Sequence, residues 1–142
     1  MGQISINNRN NSFHSQIEKF SMRRKTVYNL IKSYERLTAQ EIKSKMVLGV
    51  NQVSGRITEL RETFWIVYAG SKKGESKKSN TIWRVTTPEE RQKLVENELK
   101  SLIWEKSLLE YDLNTSDLSS PANFLIINRL YKIDKLIKKL KQ

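Results

Sequence analysis

Residues 38 to 85 read TAQEIKSKM, VLGV, NQVSGRITELRETFWIVYAG, SKKGESKKSN and TIWRV, from Thr38 to Val85. Within this stretch an apolar period of three to four residues gives way to a period of two. Thr38 followed by Glu41 is a capping box, so a helix starts after Thr38 and its stripe is Ala39, Ile42 and Met46. Val47 to Val50 make a turn around Gly49, which can take positive φ. Asn51 is the expected cap of the next helix, predicted over 51–64. Val53, Ile57, Leu60 and Phe64 form its buried face. Its opposite face presents Asn51, Gly55, Thr58, Glu59 and Glu62, flanked by Gln52 and Arg56. Strands are predicted over 65–69 and 81–85, joined by a loop over 70–80 rich in Gly, Ser and Lys.

Working outward, Val27, Leu30, Ile31 and Tyr34 predict a helix over 22–34, with Ser21 as its cap. Residues 1–20 carry Asn7, Asn8, Asn10 and Asn11 without a sustained apolar period, so a flexible arm is expected. Thr87, Pro88 and Glu90 open a long helix. A polar break over 114–120 precedes a last helix whose seam is Ile126, Leu130, Ile133, Ile137 and Leu140. The expected fold class is mainly α with a small β-hairpin. The expected domains are the arm 1–20, a domain over 21–87, and a helical hairpin over 88–142.

The charge is unevenly placed. The chain of 142 residues has formal net charge +11. Residues 1–87 hold 16 Lys and Arg against 6 Asp and Glu; residues 88–142 hold 10 against 9. A polyanion is therefore the expected partner of the first part. With no Cys and a single His, disulfides, thiolate chemistry and His-pair metal sites are excluded. No residues form a catalytic constellation or a phosphate-binding glycine loop, so no enzyme activity, metal or small-molecule cofactor is expected. No apolar run is long enough to cross a bilayer, and no apolar signal core opens the chain. The expected location is the cytoplasm of a bacterial host, with the nucleoid or a virion also possible.

Leu37-Thr38-Ala39-Gln40-Glu41-Ile42, Ser54-Gly55-Arg56-Ile57-Thr58-Glu59-Leu60-Arg61 and Ile82-Trp83-Arg84-Val85, with the basic loop before the last of these, resemble the small winged helix-turn-helix proteins of bacteriophages and prophages. The resemblance covers about residues 24–86. It implies a third helix in the major groove of duplex DNA and a wing on the backbone. The implied base-side residues are Asn51, Gln52, Ser54, Gly55, Arg56 and Thr58. Arg suits guanine, Gln suits adenine, and Gly55 permits close approach. The implied phosphate contacts are Lys72, Lys73, Lys77 and Lys78. Glu59 and Glu62 oppose phosphate, and Glu59 is read as pairing with Arg56 or Arg61. Trp65 and Trp83 are read as core beneath the wing.

Thr63-Phe64-Trp65 departs from the resemblance, since a glycine usually ends the third helix. Residues 88–142 lie outside it. Their two amphipathic helices carry more apolar surface than a hairpin can close, so a homodimer through 88–142 is expected, with a palindromic DNA site. The expected function is a transcriptional regulator. The alternative is a winged-helix protein-interaction or assembly module of a phage particle or replication complex.

Overall fold

A computed structural model describes residues 3–46, 50–74 and 77–141. Gly49, Glu75 and the side chain of Asn51 lie outside the described residues, and the helix for which Asn51 is the expected cap begins at Val50, so Asn51 lies within it. The elements are α1 (Gln3–Glu18), α2 (Met22–Tyr34), β1 (Leu37–Thr38), α3 (Ala39–Lys45), α4 (Val50–Glu62), β2 (Ile66–Lys73), β3 (Ser79–Val85), α5 (Pro88–Thr115) and α6 (Ser120–Lys141). The protein is thus mainly helical with one three-stranded antiparallel sheet, ordered β1-β3-β2. It divides into two compact units, Met1–Arg91 and Gln92–Gln142. The expected boundary at 87/88 falls four residues early, because the first turn of α5 belongs to the first unit.

In the first unit, α2 begins at the expected cap, with Ser21 Oγ accepting from the Arg24 amide. The α3 capping box is complete: Thr38 Oγ1 accepts from the Glu41 amide at 3.2 Å, and Glu41 Oε1 accepts from the Thr38 amide at 3.1 Å. Val27, Tyr28 and Ile31 of α2 pack with Ile42 of α3 and with Val53, Ile57 and Leu60 of α4, over Leu37, Trp65 and Ile66. Ile42, Val53, Ile57 and Leu60 are buried as expected, with Phe64 half-buried past the end of α4; on α2, Val27 and Ile31 are buried as expected, but Tyr28 takes the place of Tyr34, which is exposed.

The end of α4 explains the missing glycine. Phe64 adopts φ 61°, in the left-handed region. The Phe64 amide donates to the Arg61 carbonyl at 3.1 Å and the Trp65 amide to the Leu60 carbonyl at 2.9 Å. This is a Schellman termination with phenylalanine where glycine is customary. Trp65 and Leu60, the apolar pair that accompanies the motif, are both buried.

Two further expectations are corrected, and one strand is added. Residues 1–20 are not an unstructured arm: α1 spans most of them, and Phe13 and Ile17 are in the core. Phe13 lies 4.9 Å from Trp65 and Phe20 lies 5.0 Å from it, ring to ring. Tertiary anchoring outweighs the poor helix propensity of the asparagines. The loop between the strands is also shorter than 70–80, since β2 runs to Lys73 and β3 starts at Ser79. A bulge between Tyr68 and Ser71 lets the hairpin continue, with Gly70 at φ 118°. Finally, the short strand β1 pairs Leu37 with Trp83 and Thr38 with Ile82, tying the start of α3 to the hairpin.

Four residues fasten the base of α5. Thr87 and Glu90 repeat the reciprocal cap. Glu90 also accepts two bonds from Arg84, at 2.9 and 2.7 Å. Arg91 is buried, with its guanidinium 3.8 Å from the Trp65 ring centre. It donates to the Thr63 carbonyl at the end of α4 and to Gln16 of α1. Burial holds the Arg91 pKa down to about 10, and burial pushes the neighbouring Tyr28 hydroxyl up to about 12.

In the second unit, α5 and α6 run antiparallel. Arg129 binds Glu105 through two bonds of 2.8 Å, and Lys106 meets Asp134 at 3.0 Å. Leu102 of α5 is buried, as are Ile133 and Leu140 of the expected α6 seam.

Candidate nucleic-acid interface

With Val53, Ile57 and Leu60 turned inward, the rest of α4 is left to the outside. Gln52, Ser54, Thr58 and Arg61 are exposed, and Gly55 and Arg56 are half-buried. A Cβ built on Gly55 meets nothing within 4 Å. The protein's own packing therefore gives no reason for glycine there.

The two flanks of α4 differ. On one, Ser54, Thr58 and Arg61 face Gln40 of α3 and Ser79, Asn80 and Thr81 of β3 across a groove of about 390 Å³. Its floor includes Ile57 and Trp83, and hydroxyl, amide and guanidinium groups from Ser54, Thr58, Arg61 and Asn80 stand along its walls. On the other flank, Arg56 Nη2 meets Glu59 Oε1 at 3.0 Å. Glu59 Oε2 takes two bonds from Arg24 of α2, at 3.1 and 3.0 Å. Arg56 Nε is buried without a hydrogen-bond partner. Glu59 does pair with Arg56, as the sequence suggests, and Arg24 is a second partner that spacing within one helix does not disclose.

The β2–β3 hairpin is held against α3. Asn80 Nδ2 donates to Gln40 Oε1 at 3.1 Å, and Lys72 pairs with Glu41 at 2.9 Å. The bond from that lysine, outweighing desolvation and supported by the cap bonds from Thr38, keeps the Glu41 carboxyl below its ordinary range. A Cβ on Gly74 would press on Asn80 Nδ2 and Gln40 Oε1, so a larger residue there would displace the ends of these two side chains and their mutual bond. Beyond it the chain turns through Lys77 at φ 60°, whose amide donates to the Gly74 carbonyl.

The candidate residues thus fall into three places. Ser54 and Thr58 share the groove with Arg61, which the sequence reading passed over. It lies three residues beyond Thr58 and seven beyond Ser54, a spacing that sets all three on one stripe. Gln52 and Arg56 lie on the flank toward α2. Lys73, Lys77 and Lys78 are exposed on the hairpin, whereas Lys72 is engaged by Glu41. Trp65 is buried, and Trp83 is half-buried against the core.

No group of His, Cys, Asp and Glu suited to a metal ion occurs among the described residues. No helix among them is long and apolar enough to cross a membrane. No protein-family model matches the chain, and no curated protein matches it either.

Proposed function

We propose that the first unit is a winged helix-turn-helix domain and that the chain is a duplex-DNA-binding regulator of the bacteriophage or prophage type. The observation that carries this reading is the groove between α4 and β3. One polar stripe of a helix, otherwise free of the protein's own packing, shares a concave surface with a hairpin bearing three exposed lysines. In this reading α4 enters the major groove, with Gly55 allowing the backbone close to the base edges. Arg61 and the polar groups of β3 hold the sugar-phosphate strand passing through the groove, and Lys73, Lys77 and Lys78 neutralise phosphates beyond it. The surplus positive charge of residues 1–87 suits this partner.

Fluorescence anisotropy on mixed-sequence duplexes at 50 and 200 mM salt tests the proposal. Replacing Lys73, Lys77 and Lys78 with Ala is expected to weaken binding to all sequences alike and to lower the salt slope by up to about three charge contacts. Absence of duplex binding at tens of micromolar in low salt, or an unchanged slope in the variant, rejects it. A second reading, a protein-interaction or assembly module, is favoured by Glu59. This acid on α4 already occupies the two arginines, Arg24 and Arg56, that a phosphate would take.

A further inference from the structure

We propose that Glu59 is a restraint on DNA contact: it holds Arg24 and Arg56 back from the phosphate backbone on the α2 flank of α4, and so confines the duplex to the groove flank. The proposal rests on the DNA-binding reading and adds a regulating residue to it. One carboxylate serves both guanidiniums. Arg24 reaches Glu59 Oε2 through Nε and Nη2, at 3.1 and 3.0 Å, and Arg56 Nη2 reaches Oε1 at 3.0 Å. All three side chains are about a third exposed, so the cluster is partly desolvated yet within reach of a partner. Two cations and one anion leave it with a formal charge of +1. Arg24 stands in the first turn of α2 with Arg23 and Lys25, where the helix dipole disfavours cations. Acids from other helices answer two of these, Glu59 of α4 for Arg24 and Glu18 of α1 for Lys25, the latter at 2.9 Å. Arg23 is exposed beside them.

The hold on Arg56 is incomplete. Glu59 accepts from its Nη2, while its Nε is buried and has no hydrogen-bond partner. A guanidinium offers Nε and Nη2 along one edge, which a carboxylate or a phosphate can take bidentately. Arg24 gives that whole edge to Glu59, and Arg56 gives half of it. A buried donor without a partner carries a desolvation cost. The position of Arg56 is therefore kept by the charge on Glu59 and not by a complete set of bonds. Without that charge the two guanidiniums repel each other, and Arg56 gains by turning outward to water or to an anion. With it, an approaching phosphate meets a like charge and two arginines already engaged. Phosphate contacts carry no sequence information. Holding two of them back leaves binding to depend on the outward side chains of α4 and on the groove. The same pairing that favours a protein-docking reading thus has a role within the DNA-binding one.

Glu59→Gln in the full chain tests this, since it removes the charge and keeps the length of the side chain. Anisotropy on a mixed-sequence duplex is expected to show tighter binding by the variant than by the unaltered protein at about 50 mM salt. Up to two added phosphate contacts are expected to deepen the loss of affinity between about 50 and 200 mM salt by up to about tenfold. Glu59→Ala, at a helical position that alanine suits, is expected to move the same way. A tie between helices that served stability alone would weaken binding when cut, not strengthen it. The gain is also expected to need the arginines: Arg24→Gln lowers the salt slope more in the Glu59→Gln background than in the unaltered protein, as a double-mutant cycle reads. Unchanged or weaker binding by both Glu59 variants overturns the proposal, and so does an Arg24→Gln effect that is equal in the two backgrounds. If the unaltered protein binds duplex and the Glu59 variants gain nothing, the restraint alone falls. If neither the unaltered protein nor the variants bind, the DNA-binding reading falls and the restraint with it.

Discussion

The two units of the chain solve the burial problem in opposite ways. Residues 1–91 gather their apolar side chains into one core and leave a polar, positively charged outside. Residues 92–142 close a narrow seam and leave more large apolar side chains open than they bury. A two-helix hairpin has too little interior to hide a wide apolar face on each helix. The first unit is complete as a fold and its surface is suited to a charged partner. The second leaves eight large apolar side chains exposed between Ile103 and Tyr131. In one molecule, then, the surplus charge and most of the open apolar side chains fall on different units.

The largest expected effect tests the completeness of the first unit. Ile31 is fully buried, and Ile31→Ala is expected to cost about 2–5 kcal/mol in denaturant unfolding, from lost transfer energy plus the cavity. Leu108→Ala, on the open face of α5, is expected to stay within about 0.5 kcal/mol at submicromolar concentration. If Leu108→Ala proves as costly as Ile31→Ala when the protein is dilute, the outer face is covered within a single chain and the contrast fails.

The next effect concerns the two flanks of α4. Arg61 looks into the groove, while Arg56 is held by Glu59. Arg61→Ala is expected to weaken duplex binding to all sequences alike by about 1–3 kcal/mol, roughly fivefold to 150-fold. Arg56→Ala is expected to do less, because Arg56 must leave Glu59 before it reaches a base. A titration in which Arg56→Ala does more than Arg61→Ala would place the DNA strand on the α2 side of α4 rather than in the groove.

What was legible in the sequence follows from which forces act locally. The capping boxes at Thr38 and Thr87, the buried faces of α2 and α4, and the stripes of the hairpin all follow from short-range chemistry and helical period. α1 did not, because two core anchors in sixteen residues give almost no period; only the distant Trp65 makes Phe13 an anchor. Nor did β1, whose pairing partner Trp83 lies far along the chain. At the candidate interface, Gln52, Ser54, Arg56 and Thr58 were visible as a face, but the division of that face was not. The division is made by Arg24 on one side and β3 on the other. Arg61 sits close to the inward edge of α4 by helical period, and only the groove shows it as part of the surface.

Phe64 offers a smaller and cleaner test, within the first unit alone. Its left-handed conformation strains any residue with a Cβ. Phe64→Gly is therefore expected to be more stable than Phe64→Ala by about 1 kcal/mol, both variants lacking the ring. Equal stabilities by urea unfolding would mean that the end of α4 relaxes once the ring is gone.

The smallest effect concerns acid. Arg84 at the base of α5 holds the Glu90 carboxyl below its ordinary range, chiefly by hydrogen bonding. A carboxyl with a lowered pKa in the folded chain binds fewer protons there than in the unfolded chain as the pH falls past about 4.5. Its stabilisation is present above that value and is lost as the pH falls through the folded-state pKa. Both groups are about a third exposed, so solvent screens the pair, and its contribution is on the order of 0.5 kcal/mol. Arg84→Gln is expected to lower the urea midpoint at pH 6, and the gap to the unaltered protein is expected to close toward pH 3. Glu105 is lowered in the same way by Arg129 in the second unit, so Arg129→Gln provides the matching measurement there. A gap that survives at pH 3 for Arg84→Gln would show that Arg84 fastens α5 through packing rather than charge. The base of α5 would then be held by the same kind of apolar contact as the core beneath it.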